Sequence, residues 1–168
     1  SYITAKIVEL IKSLNRHSTF DNSLIIITSD HGQLLGEHNR VKHGIFLYDE
    51  LLKVPLFIKY PKNMEIKITK QDSKYISLAT LESFITNMLE NRFHDDSILY
   101  SDIVFAESYG IHINLGKLSS EEEKKNIDQL EKYRIAVYYK NFKGVFNVEK
   151  WEFEEISSYS PGIEITED

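Results

Sequence analysis

The stretch that most constrains the fold is Leu24-Ile25-Ile26-Ile27, which runs directly into Thr28-Ser29-Asp30-His31-Gly32. Four consecutive large apolar residues, three of them β-branched, predict a short strand buried on both faces, as a parallel strand of an α/β sheet is. In open parallel sheets ligands bind just beyond the carboxyl ends of the strands, and Asp30 and His31 fall there. Adjacent oxygen and nitrogen donors suit a divalent metal, with Gly32 relaxing the turn that aims them. The same residues also suit a helix N-cap or a plain loop, so the pair alone leaves both readings open.

Around this strand the hydrophobic pattern alternates between helical and extended periods. Ile3, Ile7, Leu10, Ile11 and Leu14 recur at helical spacing and predict an amphipathic helix over residues 2–15, lying against the sheet. Gln33 to Gly44 reads as a loop at the mouth of the sheet, and Ile45 to Leu52 as one or two helical turns. Lys53 to Tyr60 reads as a second strand, with Pro55 at its start or on an edge because proline lacks a donor. A polar, partly extended connection runs from Pro61 to Lys74. Leu78, Leu81, Ile85, Met88 and Leu89 mark a second helix over residues 75–90.

Asn91 to Ser97 breaks the pattern and is the expected boundary between residues 1–91, an α/β layer, and residues 92–168, a small α+β subdomain. Ile98 to Glu107 contains a strand, and Ser119-Ser120-Glu121-Glu122-Glu123 opens a helix to about Glu131. Ile135, Val137 and Tyr139 alternate with Arg134, Ala136, Tyr138 and Lys140 as in a half-buried strand. The turn Asn141-Phe142-Lys143-Gly144 returns into Val145 to Val148, and Trp151 to Ile156 adds another strand. The last third thus reads as an antiparallel meander with one helix.

Composition narrows the function classes. The chain has 168 residues, 42% of them hydrophobic, which is enough for a core. A net charge of −6 and the absence of any lysine or arginine run longer than two argue against nucleic acid and anionic membranes as partners. No apolar run approaches the ~20 residues of a membrane span. With no cysteine, disulfides and thiolate metal sites are excluded and the compartment stays open.

After Asp30-His31-Gly32 come Gly36-Glu37-His38, Lys42-His43-Gly44 and Leu47-Tyr48-Asp49-Glu50-Leu51-Leu52-Lys53-Val54-Pro55-Leu56. In order and spacing this series, from Asp21 to Pro61, resembles the sulfatase branch of the alkaline phosphatase superfamily. The resemblance implies a partial alkaline-phosphatase-like sheet layer followed by the small C-terminal subdomain. It continues in outline through Ile103 to Tyr109, with its glutamate, and through Arg134 to Glu155.

The resemblance also implies that Asp30 and His31 are metal ligands, calcium ranking first with manganese and zinc as alternatives. It implies that His43 contacts the oxygens of the anion or protonates the leaving oxygen, with Lys42 the neighbouring alternative; an imidazole titrating near neutrality suits either task. The substrate would be a small anionic ester. His38 reads as a structural tie, Tyr48, Asp49 and Glu50 as packing and capping a short helix, His17, His94 and His112 as surface residues, and Asp95-Asp96 as a solvated turn.

One departure bears on activity. Sulfatases carry a formylglycine made from C/S-x-P-x-R, and none of Pro55, Pro61 and Pro161 stands in that context. The aspartate pair that supplies the first metal ligands is missing as well. The expectation is therefore the C-terminal portion of a sulfatase-like hydrolase, its formylglycine upstream, inactive alone and prone to self-association through surfaces left uncovered. A phosphodiesterase or phosphonate hydrolase of the same superfamily, or a non-catalytic interaction module, are the alternatives.

Overall fold

The structure is a computed structural model that describes residues 2–68, 75–90, 95–110 and 132–158. Helix α1 (Tyr2–Arg16) forms where the periodicity places it, yet no side chain on it is buried. Ile7, Ile11 and Leu14 are half-buried, while Ile3 and Leu10 on the same stripe are exposed. The expected burial of this stripe is therefore only partial, at Ile7, Ile11 and Leu14.

Strand β1 (Ile25–Thr28) is followed by a hairpin of β2 (Leu34–Leu35) and β3 (Val41–Lys42), a short helix α2 (Asp49–Leu52), and strand β4 (Leu56–Lys59). β1 and β4 pair antiparallel, Ile25 opposite Lys59 and Thr28 opposite Leu56. This corrects the parallel, doubly buried reading of β1. The short connection through the hairpin and α2 brings β4 back in the opposite sense, and the apolar side chains of β1 are half-buried. Pro55 stands directly before β4, as its missing donor requires. Lys59 Nζ, half-buried, donates to the carbonyl oxygens of Phe20, Asp21 and Ser23 and so closes the loop that leads into β1.

The segment from Gln33 to Gly44, expected as a loop, contains the small β2–β3 hairpin. Leu34 is only 1% exposed and anchors it, and Gly36 at its bend has a φ of 142°, a conformation that only glycine adopts without strain.

Helix α3 (Thr80–Leu89) starts five residues later than the periodicity predicts. Tyr75–Ile76 instead forms strand β5, paired antiparallel with β6 (Tyr100–Ser101). Phe84 and Met88 of α3 meet Leu99 in a buried cluster, against which Leu24, Ile26, Ile58 and Tyr60 pack. The expectation of a solvated turn fails at Asp96. It is 4% exposed and accepts a hydrogen bond from the Tyr60 hydroxyl at 3.3 Å. Burial and this carboxylate together push the Tyr60 phenol well above its ordinary range.

Strands β7 (Ile103–Ser108), β8 (Arg134–Tyr139), β9 (Phe142–Asn147) and β10 (Glu152–Ser158) form an antiparallel sheet in the order β10-β9-β8-β7, the expected meander. Its turn is Lys140-Asn141, because Tyr139 pairs with Phe142 and Gly144 lies inside β9. A Cβ on Gly144 would stand 2.7 Å from the Phe153 ring of β10, so glycine makes room for that ring. Leu47, Ala136, Tyr138 and Val145 form the core, joined by Leu52, Val104 and Ala106. Asn147, fully buried, donates to Glu154 at 2.7 Å and accepts from the N–H groups of Glu149 and Lys150, pinning the β9–β10 turn. The expected helix over residues 119–131 and His94 and His112 lie outside the described residues.

Candidate functional site

The turn after β1 is held by its own short side chains. Ser29 Oγ donates to the His31 carbonyl at 2.7 Å, and the His31 N–H donates to Asp30 Oδ1 at 3.0 Å. That N–H, with the His31 ring beside it, holds the Asp30 carboxyl below its usual range. The carboxylate is therefore charged, and its side chain is 86% exposed, open to a ligand.

Gly32 fixes where the turn sits. Its N–H donates to the Leu51 carbonyl of α2 at 2.8 Å, and a Cβ built on it would lie 1.8 Å from the Glu50 carbonyl oxygen. No other residue allows the turn to approach α2 so closely, and this is why glycine follows the Asp-His pair.

Of the sequence-predicted residues, the structure brings three together. The His31 and His43 rings lie 4.1 Å apart between centroids, although the two residues are twelve positions apart in the chain. His31 Nε2 is 3.7 Å from Asp30 Oδ2, and His31 Nδ1 bonds the Gly32 carbonyl at 2.7 Å. His43 Nδ1 in turn contacts Gln33 Oε1 at 3.2 Å. Lys42 lies on β3, its backbone opposite Leu34. His38 stays outside this group, stacked on Tyr48 at 3.8 Å with Glu50 at 3.3 Å, in keeping with a structural tie.

Whether Asp30 and His31 fit a metal can be judged from their donors. A histidine ligand ordinarily gives its second ring nitrogen to a backbone carbonyl, which fixes the tautomer. The His31 Nδ1 contact to Gly32 does this and leaves Nε2 on the side of the Asp30 carboxylate. Two donors of this kind make a partial shell. Among the described residues no group of three or more histidine, cysteine, aspartate or glutamate side chains is placed to hold an ion.

Two cavities adjoin His31. One, of about 160 Å³, is lined by His31, His43, Gly44, Leu51, Glu107 and Ser108. The other, about 490 Å³ and largely apolar, runs past Asp30 and His31 toward Leu52, Val54, Tyr75 and Val104. β7 of the C-terminal sheet thus reaches the site, and Ser108 Oγ secures it by donating to the Ile45 carbonyl at 2.6 Å. Glu107 accepts from Tyr109 at 2.8 Å and Tyr133 at 3.2 Å, and this carboxylate pushes the Tyr109 phenol up to about 12. Strand alternation alone does not place Glu107 here; the family resemblance singles out this glutamate, and the fold puts it beside the cavity.

Sequence reasoning also missed the support behind α2. Asp49 Oδ1 accepts from Lys143 Nζ at 2.7 Å and from the Tyr138 hydroxyl at 2.5 Å, and its other oxygen pairs with Lys53. Burial alone would raise the Asp49 carboxyl, but these donors outweigh it and bring the group down to about 2.

Comparison with known proteins gives the family. The sulfatase family model matches residues 2–90, which carry α1, β1, the hairpin, α2, β4 and α3. An uncharacterized sulfatase, YidJ, of Escherichia coli strain K12 is 38% identical over 42 residues, 25% of this chain and 8% of that protein. N-acetylglucosamine-6-O-sulfatase of Bacteroides thetaiotaomicron is 38% identical over 60 residues, 36% of this chain and 11% of the relative. An arylsulfatase of Clostridium perfringens is 31% identical over 64 residues, 38% of this chain and 13% of the relative. The chain therefore matches only about a tenth of the length of these relatives. With more than half of its residues inside the family model, and an α/β fold of the expected kind, the chain belongs to the sulfatase family.

Proposed function

We propose that this chain forms the C-terminal part of a metal-dependent sulfuric ester hydrolase, in which Asp30 and His31 are two of the metal ligands and His43 meets the sulfate oxygens. The observation that carries this reading is the convergence of the exposed Asp30 carboxylate with the His31 and His43 rings, 4.1 Å apart, at one end of β1. Family membership and the names of the three sulfatases similar to the chain support the reaction class.

The chemistry divides among the residues by charge. Asp30 is anionic and supplies a hard oxygen, and His31 supplies a nitrogen whose partner nitrogen is tied to a carbonyl. A bound divalent ion, calcium before manganese or zinc, would supply a Lewis acid for the sulfate oxygens. His43 gives its Nδ1–H to Gln33 Oε1, so its Nε2 donates to the anion or protonates the leaving oxygen from the imidazolium form. Lys42 is the alternative for that role. The nucleophile, a formylglycine, would come from a segment with C/S-x-P-x-R, a pattern this sequence lacks.

A manganese(II) titration of the 168-residue chain tests the ligand assignment. Paramagnetic broadening should begin at Asp30 and His31, and His31→Ala should abolish it. Broadening confined to other acidic residues would overturn the assignment. The chain alone should release no nitrophenol from 4-nitrophenyl sulfate, and turnover lost in Asp30→Ala would overturn the reading of an incomplete site.

A further inference from the structure

The site-bearing turn and the C-terminal sheet meet through one carboxylate. Asp49 opens α2 and receives Lys143 Nζ and the Tyr138 hydroxyl from β9 and β8 on the same oxygen. Lys143 is 7% exposed and also donates to the Leu47 carbonyl at 2.7 Å, so its ammonium spans both ends of the chain leading into α2. At the other end of α2 the Leu51 carbonyl takes the Gly32 N–H, with the Glu50 carbonyl against the Gly32 α-carbon. His31 in turn is tied to the Gly32 carbonyl. From Lys143 to the His31 ring there is thus a continuous series of hydrogen bonds and backbone contacts, with α2 as its only helical piece.

We propose that Asp49 is a positioning residue for the Asp30-His31-His43 group, fixing α2 against the C-terminal sheet and, through Gly32, setting the approach of the His31 and His43 rings. Asp49 touches neither ring. It acts because α2 is only four residues long, too short to be stable unless tertiary contacts hold it. Lys143 and Tyr138 supply those contacts from residues outside the family-matched segment 2–90. The C-terminal sheet is on this view part of the site's construction.

The metal readout rests on the ligand assignment proposed above; the ring contact does not. In the 168-residue chain, Asp49→Asn should weaken the manganese(II) affinity read from broadening at His31 about 10-fold, the lower end of the effect of losing support behind a metal ligand. The nuclear Overhauser contact between the His31 and His43 rings should fade with it. Asn147→Ala is the control, since that buried side chain pins the β9–β10 turn and touches neither α2 nor the two rings. It should lower stability and leave both readouts unchanged. If Asp49→Asn does not fold, Lys143→Met is measured in its place and should lose both readouts partially.

A folded Asp49→Asn chain with wild-type ring contact and ion affinity would overturn the proposal. So would an Asn147→Ala chain that loses both signals to the same degree. If the wild-type chain binds no manganese(II) but Asp49→Asn still separates the rings, the ligand assignment fails and the positioning role stands.

Discussion

The two sheets that meet at the site differ in how much of their stability is their own. β1 and β4 form a ribbon of two strands, half-buried, whose cover comes from α3 and Leu99 on one side. β7 to β10 form four paired strands whose inner side chains, such as Ala136 and Asn147, are fully buried. Two-stranded ribbons are marginal by themselves, and sheets of three or more strands with an apolar face are not. The ribbon carries Asp30 and His31, while the meander carries none of the residues singled out from sequence for chemistry. The residues assigned to chemistry therefore stand on the weaker unit, and the stronger one holds it in place through Asp49.

The largest expected effect separates these units. Phe84 is 0% exposed at the centre of the cluster behind the ribbon, and Phe84→Ala should cost about 3–5 kcal/mol by loss of burial and the cavity left behind. Amide hydrogen exchange should then accelerate in β1, β4 and α3 while β8 and β9 keep most of their protection. If β8 and β9 lose protection equally, the two units unfold as one and the contrast between them is false.

A smaller effect comes from the contact between them. The Asp49 carboxyl titrates at about 2 in the folded chain against an ordinary 3.8, so the folded state holds its proton less tightly than the unfolded chain does. Stability from this group is complete above pH ~4, and it is lost as the pH falls from there through 2. The difference of nearly two pH units corresponds to at most roughly 2 kcal/mol, because the side chain keeps some contact with water. Urea melts at pH 5 and pH 2.5 should show this loss, and Asp49→Asn should flatten the part of the pH dependence that it contributes.

Much of this contrast is legible in the sequence, and its failures have physical causes. The antiparallel meander follows from the alternation of Ile135, Val137 and Tyr139 and from the polar turn after it, both local signals. The pairing sense of β1 is not local. An all-apolar run reads as buried on both faces, but Ile25 to Ile27 are only half-buried, with the cluster of α3 and Leu99 packed on the face that carries Ile26. The early start given to α3 fails for a similar reason, since Tyr75 and Ile76 fit a helical stripe yet gain more from pairing with Tyr100 and Ser101. The Asp30, His31 and His43 group is readable through the resemblance to the sulfatases, because motifs that are common singly follow one another in that order and spacing. Lys143 is not, because a lysine in a strand ordinarily reads as solvent-facing, and only the fold reveals Asp49 beside it.

The smallest expected effect on stability is at the residue with the largest expected effect on binding. Asp30 has an 86% exposed side chain, whose named contacts are the His31 N–H, the His31 ring and a 3.5 Å approach from Ser29. Replacing the charge while keeping the shape, Asp30→Asn, removes no buried contact and should change the unfolding free energy from urea melts by less than about 0.5 kcal/mol. The same substitution halves the hard-donor character of the Asp30-His31 pair and should remove manganese(II) broadening at His31. A structural turn would behave in the opposite way, because an aspartate that holds a turn through its carboxylate contributes about 1 kcal/mol and has no influence on an ion. A loss of that size, with ion binding intact, would return Asp30 to the turn reading that its four-residue motif equally allows.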